Sequence, residues 1–389
     1  MIDNKKIGII THPTISNYGG ILQAYALQNV LKRMGFEPEV IEKRLYPKQL
    51  TKLEKLYLYP YRFFEKKILH RNCQIKTEEN QYNKAKLRYE VGKYTLPFVE
   101  KYVRHRYIYD FDELKPNDYY AIIVGSDQIW KQRTLYLWRM KIENAYLDFA
   151  KGWPIKRLSY AASFGFSEWD YDEGQTRRCK DLLAKFDAVS CREDSGEVFC
   201  KTYLGYKEAC TVLDPTMLLD DTDYLALCPN QNNVNQNGIM CYVLDKNERS
   251  EKVKELVQNQ LGCNSFEVMA KSKSASAPIE ERVQPPVEEW IEGFKNASFI
   301  VTDSFHACAF SILFRKPFVA IVNKDRGEAR FYSLLDQFGL RDRLISEVDE
   351  ERVKSIVAQP LYIDKSVLNE KRAHSIDFLK KNLGINVNG

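Results

Sequence analysis

Four short polar sequences stand where apolar runs end, and their residue types define the chemistry open to this chain. The most informative is Thr302-Asp303-Ser304-Phe305-His306, between the apolar run Phe299–Thr302 and the helical pattern Ala307–Phe314. Ser304 is placed to cap that helix, whose free first amides form an anion site. His306 falls in the first turn, so its imidazole should point into the same cleft. An imidazole titrates near ~6.5 and can donate or accept a proton at neutral pH. A lone histidine is usually structural, but the largely apolar helix behind this one argues for function.

Ser190-Cys191-Arg192-Glu193 closes the run Ala188–Cys191. An arginine there, with its fixed fork of donors, suits a carboxylate or a phosphate; the plainer reading is a surface Arg192–Glu193 pair. Gly125-Ser126-Asp127-Gln128 follows Ala121–Val124, and Asp127 can accept from a sugar hydroxyl. Equally, Ser126 or Asp127 can cap the next segment. Ser16-Asn17-Tyr18-Gly19-Gly20 follows Ile7–Ile10; two glycines let backbone amides approach a ligand, although a tight packing loop has the same composition. It is neither a dinucleotide fingerprint nor a phosphate-binding loop. His12, His70, His105 and His374 have weaker contexts, though His12 also follows the first strand.

The elements that must hold these groups alternate along the chain. Strands are expected at Ile7–Ile10, Glu39–Ile41, Ala121–Val124, Leu158–Ala162, Ala188–Cys191 and Thr211–Leu213. A helix from about Leu22 to Met34, stopped by Gly35, follows the first. A second series runs Ile239–Leu244, Phe266–Met269, Phe299–Thr302 and Phe318–Val322, with helices at Val253–Leu261, Val287–Lys295 and Ala307–Phe314. Fully apolar strands between helices imply parallel sheets covered on both faces, where ligands gather at the carboxyl ends of strands. The fold class is therefore α/β, with two Rossmann-like domains facing each other across a cleft. Residues 1–228 should form the first, with a basic helical insertion at about 43–110. The polar stretch 229–237 reads as a linker, 238–365 as the second domain, and 366–389 as a C-terminal helix packing back on the first.

The length of 389 residues suits two such domains. With 44% hydrophobic and 29% charged residues, the chain is not disordered, collagen-like or disulfide-stapled. Nine cysteines without a C-x-x-C spacing look like small core residues of a reducing compartment, and no run approaches the ~18 apolar residues that span a bilayer. A cytoplasmic location is the expectation. No His/Cys/Asp cluster has metal-ligand spacing, so no metal is expected. Charge is uneven: Lys43 to Arg106 holds 17 Lys/Arg against 6 Glu, a local +11 in a chain of net +5, which leaves about −6 elsewhere. Tyr57, Tyr59, Tyr61, Phe63 and Phe64 lie within it. The plainest reading is a solvated insertion whose aromatics pack on their own domain. Peripheral contact with an anionic membrane comes next, and nucleic acid last, since no nucleic-acid signature is present.

Taken together, Gly19-Gly20-Ile21-Leu22-Gln23 through Gln28, Gly125-Ser126-Asp127-Gln128-Ile129-Trp130, Ser159 to Ser163, Ser190 to Glu193, Leu213-Asp214-Pro215-Thr216 through Leu218, and Thr302 to His306 resemble the polysaccharide pyruvyl transferase family. The motifs occur in family order over roughly Ile7 to Leu340. The resemblance implies a fold similar to type-B glycosyltransferases. It also implies transfer of the enolpyruvyl unit of phosphoenolpyruvate to a sugar of a capsular polysaccharide or exopolysaccharide, giving a cyclic pyruvate ketal with no further cofactor. The resemblance makes Arg192 and His306 catalytic. Arg192, Ser304, Phe305, His306, Arg326 and Arg330 would then surround the donor. Asn17, Gly19, Gly20, Ser126 and Asp127 would face a saccharide acceptor, lipid-linked at the inner membrane face. Lys131 departs from the pattern, which has an asparagine there. A nucleotide-sugar glycosyltransferase of the same architecture and a non-catalytic sugar-binding relative are the alternatives.

Overall fold

The computed structural model describes residues 5–385 except 45, 47–49, 70–76, 133–134, 136–139, 229–237, 275 and 323–326. The expected linker and Arg326 thus lie outside the described residues. Strands β1 (Lys6–Ile10), β2 (Glu37–Lys43), β3 (His105–Ile108), β4 (Ala121–Val124), β5 (Lys156–Ala162), β6 (Ala188–Cys191) and β7 (Cys210–Thr211) form one sheet in the order β3-β2-β1-β4-β5-β6-β7. Strands β8 (Ile239–Tyr242), β9 (Ser265–Phe266), β10 (Phe299–Thr302), β11 (Phe318–Ile321) and β12 (Leu344–Ile345) form a second, ordered β12-β11-β10-β8-β9. Every pairing in both is parallel. The molecule is α/β, with two Rossmann-like units facing each other as in type-B glycosyltransferases.

The strand orders explain where polar groups gather. In the first sheet the chain order reverses beside β1, which pairs with β2 on one side and β4 on the other. In the second it reverses beside β8, which pairs with β9 and β10. Loops leaving neighbouring strands diverge at such a switch point and open a crevice at the carboxyl ends. His12 follows β1, Asp127 follows β4, and Ser304–His306 follows β10. The central strands β1, β4, β8 and β10 are buried almost throughout, as their unbroken apolar sequences require.

One apolar core runs through both units: Tyr18 stacks on Trp290 with centroids 5.4 Å apart, and Phe305, Phe310 and Met217 belong to the same cluster. The Tyr18 hydroxyl donates to the Pro285 carbonyl at 2.8 Å, so the interface is fixed by directional bonds as well as by area. The helix Lys365–Asn382 lies against the first unit: Ser375 Oγ accepts from the Leu213 amide at 3.0 Å, and Arg372 donates to the Met217 and Leu219 carbonyls.

Several elements differ from the sequence expectation. The first helix begins at Tyr18 rather than Leu22, because the two glycines do not break it once Asn17 supplies an extended turn. Strand β9 covers only Ser265–Phe266, and β3 and β12 are short strands that carry no run long enough to read. The insertion contains the helices Lys52–Lys67, Thr77–Val91 and Leu96–Tyr102. Phe98 and Val99 of the third are buried, and Tyr89 of the second stacks on Tyr46. No residue of Lys52–Lys67 is fully buried: Tyr59 is half-buried, and Tyr57, Phe63 and Phe64 are exposed rather than packed on their own domain as expected.

Candidate active site

Where the two crevices meet, the Arg192 guanidinium lies wholly buried between two carboxylates. Its Nη1 donates to Asp214 Oδ2 at 2.9 Å and its Nη2 to Asp127 Oδ1 at 3.2 Å. Phe305, from the other domain, covers the guanidinium face at 4.3 Å, a cation–π contact in a dry setting. Asp214 is saturated: its other oxygen accepts from the Thr216 amide and hydroxyl, which the turn after Pro215 presents to it. Ser126 Oγ also approaches Asp214 Oδ2, at 3.4 Å, while donating to the Ala161 carbonyl.

Each carboxylate also faces a histidine. His306 Nε2 is 3.6 Å from Asp214 Oδ2, and His12 Nδ1 is 3.5 Å from Asp127 Oδ2. The second nitrogen of His12 meets the Gln128 carbonyl at 3.1 Å. The five groups thus form a chain, His12–Asp127–Arg192–Asp214–His306, that crosses from the first domain to the second. On its far side, the His306 ring rests on Gly19: a Cβ built there would sit 2.1 Å from Nδ1, so only glycine allows the two domains to close on this imidazole.

Electrostatics keep the chain charged in the sense drawn. Burial pushes the Asp214 carboxyl up, but His306 and Arg192 outweigh it and hold Asp214 below the usual carboxylate range. Burial likewise opposes ionisation of Asp127, and His12, Arg192 and His306 hold it well below that range. Glu193 goes the other way: burial raises its carboxyl despite Arg192, Ser163 and Arg330. Arg192 thus lies between two ionised carboxylates, while burial discourages charge on Glu193. Among the described residues no group of three or more His, Cys, Asp or Glu is arranged to hold a metal ion.

Beside this chain, Phe166 to Asp170 of the first domain and Gly327–Glu328 of the second line a cavity of about 430 Å³. The sequence profile of the polysaccharide pyruvyl transferases matches residues 17–325 of the chain.

The chain belongs to the polysaccharide pyruvyl transferase family.

No curated protein matches it. Among solved structures it is similar to a UDP-GlcNAc 2-epimerase from Methanocaldococcus jannaschii, at 12% identity over 97% of this chain and 99% of that one, with a TM-score of 0.49. It is similar also to the UDP-GlcNAc 2-epimerase of Neisseria meningitidis bound to UDP-GlcNAc, at 10% identity over 97% and 100%, with a TM-score of 0.48. A third is a glycosyltransferase from Rickettsia africae, at 12% identity over 98% and 97%, with a TM-score of 0.46.

The family motifs converge, yet not every residue has the surroundings its type suggested. Arg192 and His306 share Asp214, and Phe305 and Arg330 lie on the same side, with the Arg330 guanidinium 5.7 Å from the Phe305 ring. Arg192 is no surface partner of Glu193, since both side chains are fully buried and 4.0 Å apart. Nor does its fork lie open to a ligand carboxylate, because Asp127 and Asp214 take both terminal nitrogens. Asp127 Oδ1 accepts from Arg192 and its Oδ2 faces His12. Ser126 is fully buried, its amide donating to Gln23 and its hydroxyl to Ala161. Ser304 does cap its helix, accepting from the Ala307 amide. Asn17 is exposed at the start of the helix that carries Gly19 and Gly20, and Lys131 sets its ammonium 3.8 Å over the Phe166 ring at the cavity edge. His12, noted only as following the first strand, joins the cluster, whereas Asp214 and Gln23 were not singled out by type: Asp214 is one aspartate before a proline, and only the fold puts it between Arg192 and His306.

Proposed function

We propose that the chain transfers pyruvate from phosphoenolpyruvate to a saccharide of a capsular polysaccharide or exopolysaccharide, forming a cyclic ketal and releasing phosphate. The observation that carries this reading is the buried His306–Asp214–Arg192 array at the domain seam of a pyruvyl transferase. In the reaction the donor's methylene carbon takes a proton and becomes a methyl group. A sugar hydroxyl adds to the adjacent carbon and gives up its proton, and phosphate leaves with the electrons of its C–O bond. A second hydroxyl of the same sugar then adds to that carbon and loses its proton, closing the ketal.

His306 is the acid that protonates the methylene carbon, with Asp214 fixing its ring and stabilising the imidazolium before transfer. His12, with Nδ1 on Asp127 and Nε2 on the Gln128 carbonyl, is a positioning residue, and His306, neutral after that transfer, takes the proton of the attacking hydroxyl. Arg192 is a positioning residue: it holds both carboxylates and, stacked under Phe305, keeps their spacing. The donor's roughly three negative charges meet Arg330, the unpaired amides at the start of the Ser304-capped helix, and the imidazolium form of the two rings. Exposed Asn17 and the cavity at Phe166–Asp170 serve the acceptor, which reaches the cleft lipid-linked at the inner membrane face.

Thermal stabilisation tests the donor assignment. Phosphoenolpyruvate at ~100 times its dissociation constant should stabilise the fold by about 2.7 kcal/mol, and His306→Ala should keep most of that shift. Stabilisation by a nucleotide diphosphate sugar with none from phosphoenolpyruvate would assign the protein to glycosyl transfer instead.

A further inference from the structure

The first insertion helix, Lys52–Lys67, is amphipathic in the inverse sense. Its half-buried positions, the side turned to the rest of the protein, are Leu58, Tyr59, Arg62 and Glu65. Its outward side carries Leu53 (80% exposed), Leu56 (74%), Tyr57 (73%), Phe63 (53%) and Phe64 (49%), continued by Ile68. At 100° per residue these six span an arc of roughly 140°. Lys52 borders that arc on one edge and Lys67 lies within it, where a long stem can lie along apolar surface with its ammonium outermost, while Lys55 and Lys66 lie on the opposite side. The helix is well made in itself: Thr51 and Glu54 form a reciprocal capping box, so its exposure is not that of a frayed end.

We propose that this helix docks the protein on an anionic lipid bilayer, its apolar arc entering the headgroup boundary and its lysines meeting the lipid charge. Charge selects this occupant over the two rivals. A second copy would bring one +11 segment against another, and a nucleic acid would leave Leu53, Leu56 and Ile68 in water. The placement matters for the cleft. The insertion leaves from the carboxyl end of β2, next to β1 and His12, and its second helix reaches the other domain, where Val91 accepts from the Gln284 amide at 2.9 Å. Docking would therefore set the mouth of the cleft close to the lipid surface. The proposal stands on exposure and charge and does not rest on the reaction proposed above.

Flotation of the full chain with vesicles of phosphatidylglycerol and phosphatidylcholine, against phosphatidylcholine alone, tests it. Binding is expected only to the anionic vesicles. Lys52→Glu and Lys67→Glu together should weaken it on the order of a hundred-fold, and Leu53→Ser, Leu56→Ser and Phe64→Ser together should abolish it. Because every substituted side chain is exposed, both variants should melt like the parent and, if the pyruvyl transfer reading holds, turn over a soluble acceptor equally well. Absence of parent binding at low salt, retention by the serine variant, or a dimer that the serine substitutions dissociate would each overturn the proposal.

Discussion

Around Arg192, carboxylates, imidazoles and a guanidinium are sealed from water, and Asp127 and Asp214 find every partner within the chain. Along Lys52–Lys67, large apolar side chains such as Leu53, Leu56 and Phe63 are exposed among the described residues. Both arrangements carry a cost to the isolated protein, but of different kinds. Burying charge is tolerated only when geometry compensates desolvation, so the cluster is rigid, and removing one member strands the others. Exposed apolar surface costs nothing in bonding geometry and is relieved only by something outside the molecule. The cluster is satisfied within the protein, whereas the apolar arc of the helix is exposed among the described residues.

Breaking the cluster should give the largest effect. Arg192→Met leaves Asp127 and Asp214 facing each other without a cation, and urea denaturation should show a loss of about 3–5 kcal/mol. A loss below about 1 kcal/mol would mean that the two carboxylates are not held by this side chain. His306→Ala should lower turnover by roughly 10²- to 10⁴-fold. Gly19→Ala pushes a methyl group into the same ring and should cost about 1–3 kcal/mol in stability or in activation energy. In the His306→Ala background that cost should vanish, a double-mutant cycle that measures the contact directly.

Acid provides a milder probe. Asp127 and Asp214 have folded pKa values below their unfolded ones, so their contribution is complete above about pH 4 and is lost as the pH falls further. Asp214→Asn should flatten the acid limb of the stability profile; an unchanged limb would place the titrating groups elsewhere. At the other extreme, Leu56→Ser in the insertion helix should change stability by no more than about 0.5 kcal/mol in the absence of lipid.

The alternation of apolar strands and helices was legible because parallel sheets bury both faces, and the strand-end motifs lay where that architecture predicts. His306 was legible for the same reason, standing just after a strand and before an apolar helix. Asp214 was not, since its role depends on a 22-residue return to Arg192 and on a contact from the other domain. Nor was the engagement of Arg192: type and position said that it would grip an anion, and only packing shows that the anions are the protein's own. The helix Lys52–Lys67 showed its composition in the sequence but not its orientation, because periodicity marks an apolar face without saying whether it turns inward.

The most direct test of the account follows phosphate by phosphorus NMR while the purified protein is held with phosphoenolpyruvate and a panel of galactosides, glucosides and mannosides. The parent protein should release phosphate with at least one acceptor and yield a sugar bearing a pyruvate ketal, and His306→Ala should release it far more slowly. Phosphate release by His306→Ala at the parent rate would contradict the assignment of the cluster as the catalytic centre.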